Sequence, residues 1–265
     1  MFDIVYEDPD TQEKKYVYQN SWGITTRTIG VMIMIHADNK GLVLPPRAAC
    51  IQVVLVPCGI TVGLSEDARN ELQASCDALE TELKNSGIKV KGDYRNNYSP
   101  GWKFNHWELK GVPIRVELGP KDIEKQQIVA VRRDTGEKIT YSRATAVEKL
   151  TNLLEEIQNN MLLKATDDLN NHKVLLKEWS QFTVNLDKKN IILAPFCGET
   201  PCEDKIKADS VRDDTEAAEP GAPSMGAKSL CIPLEQPAPI QSSDKCIHPD
   251  CKRKPLFYTL FGRSY

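Results

Sequence analysis

The sequence predicts an α/β protein made of three successive units, and three observations carry this prediction. β-Branched runs and turn residues dominate residues 1–46, and strand and helix patterns alternate through residues 47–145. Residues 146–265 open on a long helical pattern and hold two pairs of cysteines. A length of 265 residues exceeds one average domain, which fits such a division.

Residues 1–46 are predicted to form β-hairpins. Strands are expected at Ile4–Glu7 and Tyr16–Tyr18, through the apolar run Val31–Ile35, and again at Leu42–Leu44, because these runs are rich in residues that favour strands. Pro45 and Pro46 end the last strand, since proline removes a backbone donor and restricts the residue before it. We place the first domain boundary there.

The middle unit, residues 47–145, is predicted to have a mostly parallel sheet with helices packed on it. Ser65 suits the N-cap of a helix whose apolar face recurs every three or four residues until Gly87. Ser99-Pro-Gly101 opens a second, shorter helix. The strands around these helices give a βαβαβ order, which favours parallel pairing; they are Ala49–Val56, Ile88–Val90, Val112–Leu118, Gln127–Arg132 and Lys138–Thr140.

The last unit, residues 146–265, is predicted to be a small α+β domain. It opens with a long helix over about residues 144–169, and Trp179 and Phe182 indicate another. Ile191–Pro195 reads as a strand, and the apolar segment Leu256–Phe261 is expected to be buried. Residues 199–220 are acidic and polar, which predicts a mobile loop.

Composition excludes several classes of protein. The chain is 40% hydrophobic and 27% charged, which is ordinary for a soluble globular protein. It contains neither an apolar run of 18 residues nor a secretory signal pattern, so a cytoplasmic location without a membrane partner is expected. Disulfides are rare in that compartment, so grouped cysteines indicate a metal and scattered ones a core.

Charge is unevenly distributed along the chain. The net charge is −3, yet residues 88–138 hold eleven Lys and Arg against seven Asp and Glu. A basic middle in an acidic protein fits local contact with a polyanion. A solvated helical face would give the same count.

Four of the eight cysteines form two C-x4-C pairs, Cys197 with Cys202 and Cys246 with Cys251. Two such pairs can close a tetrahedral thiolate site of the kind zinc prefers, and four sulfur ligands would make it structural. The alternative is four unligated thiols. His248 lies inside the second pair and could replace one cysteine.

Two further segments are candidates for binding. Arg27 follows Thr25 and Thr26, and an arginine on the expected strand could present its planar fork to a phosphate. In Ser99–Asp122, aromatic residues alternate with basic ones, as in proteins that stack and read unpaired RNA bases. The alternatives are solvated strand residues in the first segment and core tryptophans in the second.

Four stretches resemble the prolyl-tRNA synthetases, which are class IIa enzymes. Ser99–Asp122 resembles their anticodon-binding domain, and Ser21-Trp-Gly-Ile-Thr-Thr-Arg-Thr-Ile-Gly30 resembles motif 3 of the class II catalytic fold. Pro220–Pro233 and Phe261-Gly-Arg-Ser-Tyr265 resemble the C-terminal domain of the eukaryotic and archaeal type. The resemblance implies the end of an antiparallel class II core, then an anticodon-binding domain, then a zinc-binding end domain.

The resemblance also implies roles for individual residues. Arg27 and Thr25 would contact ATP, Thr26 would face the proline pocket, and the carboxylate of Tyr265 would lie near the active site. The residues that would read the guanines of the proline anticodon are Glu108, Arg115, Lys121 and Asp122. The zinc ligands would be Cys197, Cys202, Cys246 and Cys251, although the second pair is longer than the family's C-x-C.

The implied activity is ATP- and Mg²⁺-dependent attachment of proline to tRNA(Pro) by a homodimer. Motifs 1 and 2 should lie upstream of residue 1, so this chain alone is expected to bind tRNA weakly and not to aminoacylate. In animals such a module often follows a glutamyl-tRNA synthetase half, so a bifunctional parent within a multi-synthetase complex stays open. The rival interpretation is a non-catalytic tRNA-binding or scaffold module, which would have lost motif 3.

Overall fold

A computed structural model describes residues 3–61, 63–212 and 224–263, and the chain divides into two compact units, Met1–Met161 and Leu162–Tyr265. The strands, β1 to β11 in chain order, are Val5–Glu7, Lys14–Tyr16, Val53–Pro57, Val90–Gly92, Ile114–Leu118, Gln127–Arg132, Lys138–Ser142, Lys173–Leu175, Ile191–Phe196, Lys228–Cys231 and Phe257–Gly262. The helices, α1 to α7, are Arg27–His36, Glu66–Asn85, Pro100–Leu109, Pro120–Glu124, Ala146–Asn171, Trp179–Asp187 and Thr200–Asp209. A single 3₁₀ turn, Arg143–Thr145, leads into α5.

The first hairpin forms, with its second strand at Lys14–Tyr16 rather than at the predicted Tyr16–Tyr18, but the apolar run after it does not form a strand. β1 and β2 pair antiparallel, whereas Val31–Ile35 lies inside α1. Leu42 and Leu44 form no strand either, and their N–H groups donate to the carbonyls of Leu109 and Gly111. Both strand predictions were therefore wrong. Strand propensity is weak where no sheet is present to receive the side chains, and α1 buries none of its residues in this chain.

The five-stranded sheet of the first unit has the order β4-β3-β5-β6-β7 and is mixed. β3 pairs parallel with β4 and β5, but β5, β6 and β7 pair antiparallel in succession. The prediction of a mostly parallel sheet was therefore wrong for its second half. The turn at Asp134-Thr-Gly136 joins β6 to β7 as a hairpin, and a hairpin connection permits only antiparallel pairing.

The core of the first unit follows from the helical periodicity. The Ser65 hydroxyl accepts a hydrogen bond from the N–H of Ala68, as expected of an N-cap, and Glu66 and Asp67 occupy the first turn of α2. α2 and α5 bury their apolar faces against one face of the sheet. The buried side chains of the two helices are Leu72, Cys76, Leu79, Leu83, Ala146, Leu150, Leu153, Leu154, Ile157 and Met161. The opposite face of the sheet is covered in part by α3 through Trp107.

The second unit has a four-stranded sheet of order β10-β11-β9-β8. β11 pairs antiparallel with β9 and buries Tyr258 and Phe261, which confirms that the apolar C-terminal segment is buried, although Leu256 is exposed. The ring of Phe261 contacts Phe182 and Phe196 edge-on, at centroid distances of 5.7 and 5.4 Å. These aromatic contacts hold α6 against the sheet.

The acidic segment after β9 is partly helical. Thr200–Asp209 forms α7, with Pro201 in its first turn and Cys202 and Ile206 buried one turn apart. The prediction of a mobile loop was wrong there, because this pair packs the helix onto the core of the second unit. Residues 213–223 and Tyr265 lie outside the described residues. The predicted domain boundaries at residues 46 and 145 stay predictions.

No helix in the described part of the chain is both long enough and apolar enough to cross a membrane.

Candidate functional site

Thr25, Thr26 and Arg27 lie together at the start of α1, and all three are exposed. Arg27 is the first residue of the helix rather than a strand residue, which corrects the expected setting of its side chain. The backbone turns tightly here, since Thr28 and Ile29 donate to the carbonyls of Thr25 and Thr26 at 3.0 Å. A helix N-terminus with an arginine in its first turn favours anions such as phosphate.

A cavity of about 150 Å³ opens on the face of the first sheet beside α3. Glu108 on α3 and Arg115 on β5 both line it, so the fold brings two of the predicted anticodon residues together. The other charged groups of the lining are Lys40, Arg132, Arg133 and Lys138. The lining therefore holds five cations and one carboxylate. Each cation also pairs with a carboxylate, and the side chains of Lys40 and Lys138 remain exposed enough to attract a polyanion.

The Arg115 side chain is held in place from two sides. Its Nε and Nη2 donate to Oε1 of Glu117 at 3.1 and 2.9 Å, and its guanidinium lies 4.1 Å from the centroid of the Phe104 ring. Only 15% of the Arg115 side chain is exposed. Its remaining N–H donors are preoriented, and an arginine fork matches the O6 and N7 acceptors of guanine.

Sequence reasoning missed Glu117 as the partner of Arg115. The two residues lie two positions apart on β5, which places them on the same face of the strand. Period-two spacing of opposite charges was the pattern that could have revealed the pair.

Glu108 faces the cavity with its carboxylate 3.7 Å from Nζ of Lys40. Its carbonyl accepts from Nε of Arg133 at 2.9 Å, and the two terminal nitrogens of Arg133 bind the Asp38 carboxylate. Backbone and side chain of Glu108 are thus fixed by separate partners, and its carboxylate keeps acceptor capacity for a base amino group.

Lys121 and Asp122 lie on the short helix α4 and do not line this cavity. The Asp122 carboxylate accepts from the N–H of Gly119 at 3.0 Å and from Nε2 of Gln127 at 2.9 Å. Lys121 is exposed beside it. The fold therefore divides the four predicted anticodon residues into two pairs, and Asp122 also caps the helix that carries it.

The four paired cysteines converge in the second unit. Cys197 follows β9 directly and Cys202 lies in the first turn of α7. Cys246 and Cys251 come from the loop before β11, which is fastened to β9 by a hydrogen bond from the N–H of Ile247 to the carbonyl of Pro195. All four sulfur atoms lie within 4.8 Å of one another.

The sulfur distances suit a tetrahedral ion. Sγ of Cys202 lies 3.7 Å from Sγ of Cys246, and Cys251 and Cys197 are equally far apart. A Zn–S bond of about 2.3 Å gives tetrahedral sulfur separations of about 3.8 Å. Burial and the neighbouring thiol raise the pKa of Cys202, and burial raises the pKa of Cys246 to about 11. A bound cation would be needed to hold such thiols as thiolates near neutral pH.

His248 points its nitrogens to partners other than the cysteines. Its Nε2 lies 2.9 Å from Oδ2 of Asp209, its Nδ1 accepts from the N–H of Asp250 at 3.3 Å, and its ring contacts Trp179. Cys251 occupies the fourth corner of the cluster. The geometry therefore favours four sulfur donors over three sulfurs and an imidazole.

Two family models match the chain in succession. The model described as "Anticodon binding domain" matches residues 52–153, and the model described as "Prolyl-tRNA synthetase, C-terminal" matches residues 179–265. The first range contains every lining residue of the cavity except Lys40, and the second contains the four cysteines.

Relatives align along the whole chain. A bifunctional glutamate/proline--tRNA ligase of Drosophila melanogaster is 66% identical over 100% of the chain, which is 15% of the relative. A proline--tRNA ligase of Encephalitozoon cuniculi is 45% identical over 100% of the chain and 52% of the relative. A crystal structure of prolyl-tRNA synthetase from Cryptosporidium parvum, complexed with L-proline and AMP, superposes with a TM-score of 0.83 at 41% identity. It covers 98% of this chain and 51% of that one.

The fold and the two matched families define a part of an aminoacyl-tRNA synthetase that carries an anticodon-binding domain. The chain spans about half or less of the length of these relatives. It belongs to the prolyl-tRNA synthetases, of which it is the C-terminal region.

Proposed function

We propose that the enzyme containing this chain attaches proline to tRNA(Pro) at the expense of ATP, and that this region supplies anticodon recognition. The observation that carries the proposal is the cavity in the matched anticodon-binding domain, which Glu108 and Arg115 both line. A preoriented arginine fork and a carboxylate acceptor together complement the O6, N7 and amino groups of guanine.

Arg115 and Glu108 are proposed to read one guanine of the proline anticodon inside the cavity. Lys121 and Asp122 are proposed to contact a second base or its phosphate from α4. Lys40 and Lys138, whose side chains are 70% and 61% exposed, would add sequence-independent attraction for the RNA backbone. This division follows the two pairs into which the fold separates the four residues.

At the start of α1, Arg27 and Thr25 are proposed to contact the phosphates and nucleoside of ATP, with Thr26 toward proline. Arg27 would stabilise negative charge that builds on the phosphates during attack by the prolyl carboxylate. The exposed apolar residues of α1, among them Ile29, Met34 and Ile35, support burial of this helix against the rest of a catalytic core. Mg²⁺ binding is assigned to that core, and the whole enzyme is proposed to be a cytoplasmic homodimer.

The four-cysteine cluster is proposed to bind structural zinc. Soft sulfur donors and near-tetrahedral spacing suit Zn²⁺, which would tie the loop before β11 to β9 and α7. No substrate position remains among four protein ligands, so the metal would contribute folding energy rather than chemistry.

The bifunctional relative supports a further proposal, that a glutamyl-tRNA synthetase half precedes this module in a larger synthetase assembly.

Proline-dependent exchange of pyrophosphate into ATP tests the function. The assay compares this chain with a polypeptide extended upstream to the full class II core, each beside its Arg27→Ala variant. Exchange by the longer polypeptide alone, lost on Arg27→Ala, is the expected result. An inactive long polypeptide that still binds tRNA would favour a non-catalytic tRNA-binding module.

A further inference from the structure

An exposed stack of rings lies along the outer face of α3, outside the cavity described above. Trp102 and His106 lie four residues apart on α3, so their side chains share one side of the helix, and Tyr98 precedes the N-cap Ser99 and stacks on Trp102 from outside the helix. Tyr98 and Trp102 are parallel at a centroid distance of 3.8 Å, and Trp102 and His106 at 4.9 Å. Tyr98 is 38% and Trp102 41% exposed, so packing into the core alone does not account for these two large rings.

The stack has an open end at Tyr98. The guanidinium carbon of Arg95 lies 4.9 Å from the Tyr98 centroid and 5.2 Å from the Trp102 centroid. Because these two distances are nearly equal, Arg95 lies beside the stack. If Arg95 covered the outer face of Tyr98, its distance to Trp102 would exceed its distance to Tyr98 by about 3.8 Å, the spacing of the two rings. In the described part of the chain, the one ring that lies against Tyr98 is Trp102.

The other end of the stack reaches the cavity. The His106 ring meets Trp107 edge-on at 5.0 Å, and Trp107 lines the cavity together with Glu108 and Arg115. The rings therefore form a continuous path from the cavity to the N-terminal end of α3.

Cations flank Trp107 at one end of the path of rings and Tyr98 at the other. The ammonium groups of Lys91 and Lys110 lie 5.5 and 5.1 Å from the Trp107 centroid, and Arg95 flanks the other end. The nearby acid, Asp93, is buried and paired with Arg95, so that pair is close to neutral and the positive charge beside the rings comes chiefly from Lys91 and Lys110. Burial first, and then Lys110 and Arg95, lower the pKa of His106, which leaves that ring uncharged near neutral pH inside a positive field.

We propose that the outer face of Tyr98 is a stacking platform for an unpaired RNA base, with the flanking cations holding its phosphates. The proposal rests on the proposed function, and its ligand is a nucleotide of the tRNA anticodon loop adjacent to those read in the cavity. Aromatic faces stack on any base, and neighbouring Lys and Arg supply the charge complementarity that single-stranded RNA requires. A preformed stack loses little freedom when one more ring is added to it.

The test uses this chain and an anticodon stem-loop RNA with the proline anticodon, with binding followed by fluorescence anisotropy. Tyr98→Ala is expected to weaken binding roughly tenfold, the scale of one lost base stack, while Tyr98→Phe keeps the ring and binds as the parent does. Tyr16→Ala, which removes an exposed ring of β2 in the same unit, is the matched control and should leave affinity unchanged. An RNA that lacks the base at one anticodon-loop position should bind the parent chain about as weakly as Tyr98→Ala binds the intact RNA. The same base removal should not weaken binding by Tyr98→Ala any further.

Three results would count against the platform. Unchanged binding by Tyr98→Ala, with a loss on Arg115→Ala, would overturn it and leave anticodon recognition in the cavity intact. Equal weakening by Tyr98→Ala and Tyr98→Phe would assign the effect to the hydroxyl and reject stacking. Absence of any binding by the parent chain would overturn both the platform and the proposed function.

Discussion

Arg133 forms a bidentate ion pair with Asp38, which lies 95 residues earlier in the sequence. Its Nη1 and Nη2 donate to the two carboxylate oxygens of Asp38 at 2.8 and 2.7 Å, while its Nε donates to the carbonyl of Glu108. The Arg133 side chain is only 4% exposed, and its guanidinium holds the pKa of the Asp38 carboxyl well below the usual range. One side chain thus links the segment that follows α1 to the helix that carries Glu108.

We predict that Arg133→Ala destabilises the first unit by about 2 kcal/mol, because it removes a bidentate charged pair and a hydrogen bond to the Glu108 carbonyl, which also accepts from the N–H of Gly111. The loss is limited because 43% of the Asp38 side chain is exposed and screened by solvent. Urea unfolding of the single variants and of Asp38→Ala with Arg133→Ala would give the coupling energy. Strictly additive losses would show that the pair contributes nothing.

The elements that the sequence predicted well carry their own start signals and bury one face. α2 begins after Ser65 as expected, and the positions spaced by three and four, such as Leu72 and Leu79, are buried. For the helices, cap and periodicity agree with the tertiary packing, so local pattern is sufficient.

The misses share a different cause, since each depended on a partner that local pattern does not reveal. Val31–Ile35 has strand composition but lies in an exposed helix, and α7 is held by two buried side chains, Cys202 and Ile206, within a polar segment. In the antiparallel half of the first sheet, the β6–β7 pair follows from a hairpin turn at Asp134-Thr-Gly136 that a simple βαβ interpretation overlooks, whereas β5 and β6 pair antiparallel across the connection that holds α4. At the site, residue types and the cysteine spacing were predictable, whereas the Glu117 contact that orients Arg115 required the strand register.

We predict that Cys202→Ser releases one zinc ion per chain and lowers the melting temperature of the second unit, because three ligands cannot close the site. The measurement is metal content by mass spectrometry together with calorimetry. Cys231→Ser is the matched control, since that thiol is exposed and lies outside the cluster. Equal metal content in both variants would refute the assignment.

Arg115→Ala should weaken binding of tRNA with the proline anticodon by about ten- to a hundredfold, the range for one bidentate base contact. Other tRNAs should lose much less, because they do not use that contact. Arg143→Ala is the control, as Arg143 pairs with Glu82 on α2 and does not line the cavity. An equal loss of affinity for all tRNAs would show that Arg115 contacts a phosphate rather than a base.

Glu117→Gln should weaken the preference for tRNA with the proline anticodon over other tRNAs, although Arg115 is still present. The neutral amide would hold the Arg115 guanidinium less tightly, so its fork would lose orientation while keeping its charge. Competition binding with proline-anticodon and unrelated stem-loops measures the effect as a fall in their affinity ratio. An unchanged ratio would mean that Phe104 alone is sufficient to position Arg115.

Protonation of the Asp93 carboxylate in acid should make the first unit less stable. Its carboxylate is 1% exposed and accepts from Nε and Nη2 of Arg95 at 2.8 and 2.6 Å and from Nε1 of Trp107 at 2.8 Å. Arg95 foremost, and then Trp107, lower the pKa of Asp93 against the opposing effect of burial. A carboxyl with a lowered native pKa contributes stability above its unfolded value of about 3.9, and that stability is lost as the pH falls through the native pKa.

We therefore expect Asp93→Asn to cost about 1.5–3 kcal/mol at pH 7, because the amide can accept fewer of these bonds, and the cost should shrink steadily below about pH 4. Urea unfolding at pH 7, 5 and 3.5 measures this difference against the parent chain. Asp77→Asn, an exposed carboxyl on α2, is the matched control and should cost less than about 0.5 kcal/mol at each pH. A cost for Asp93→Asn that stays the same at pH 3.5 as at pH 7 would show that packing, and not the ionised carboxylate, joins Asp93 to Trp107.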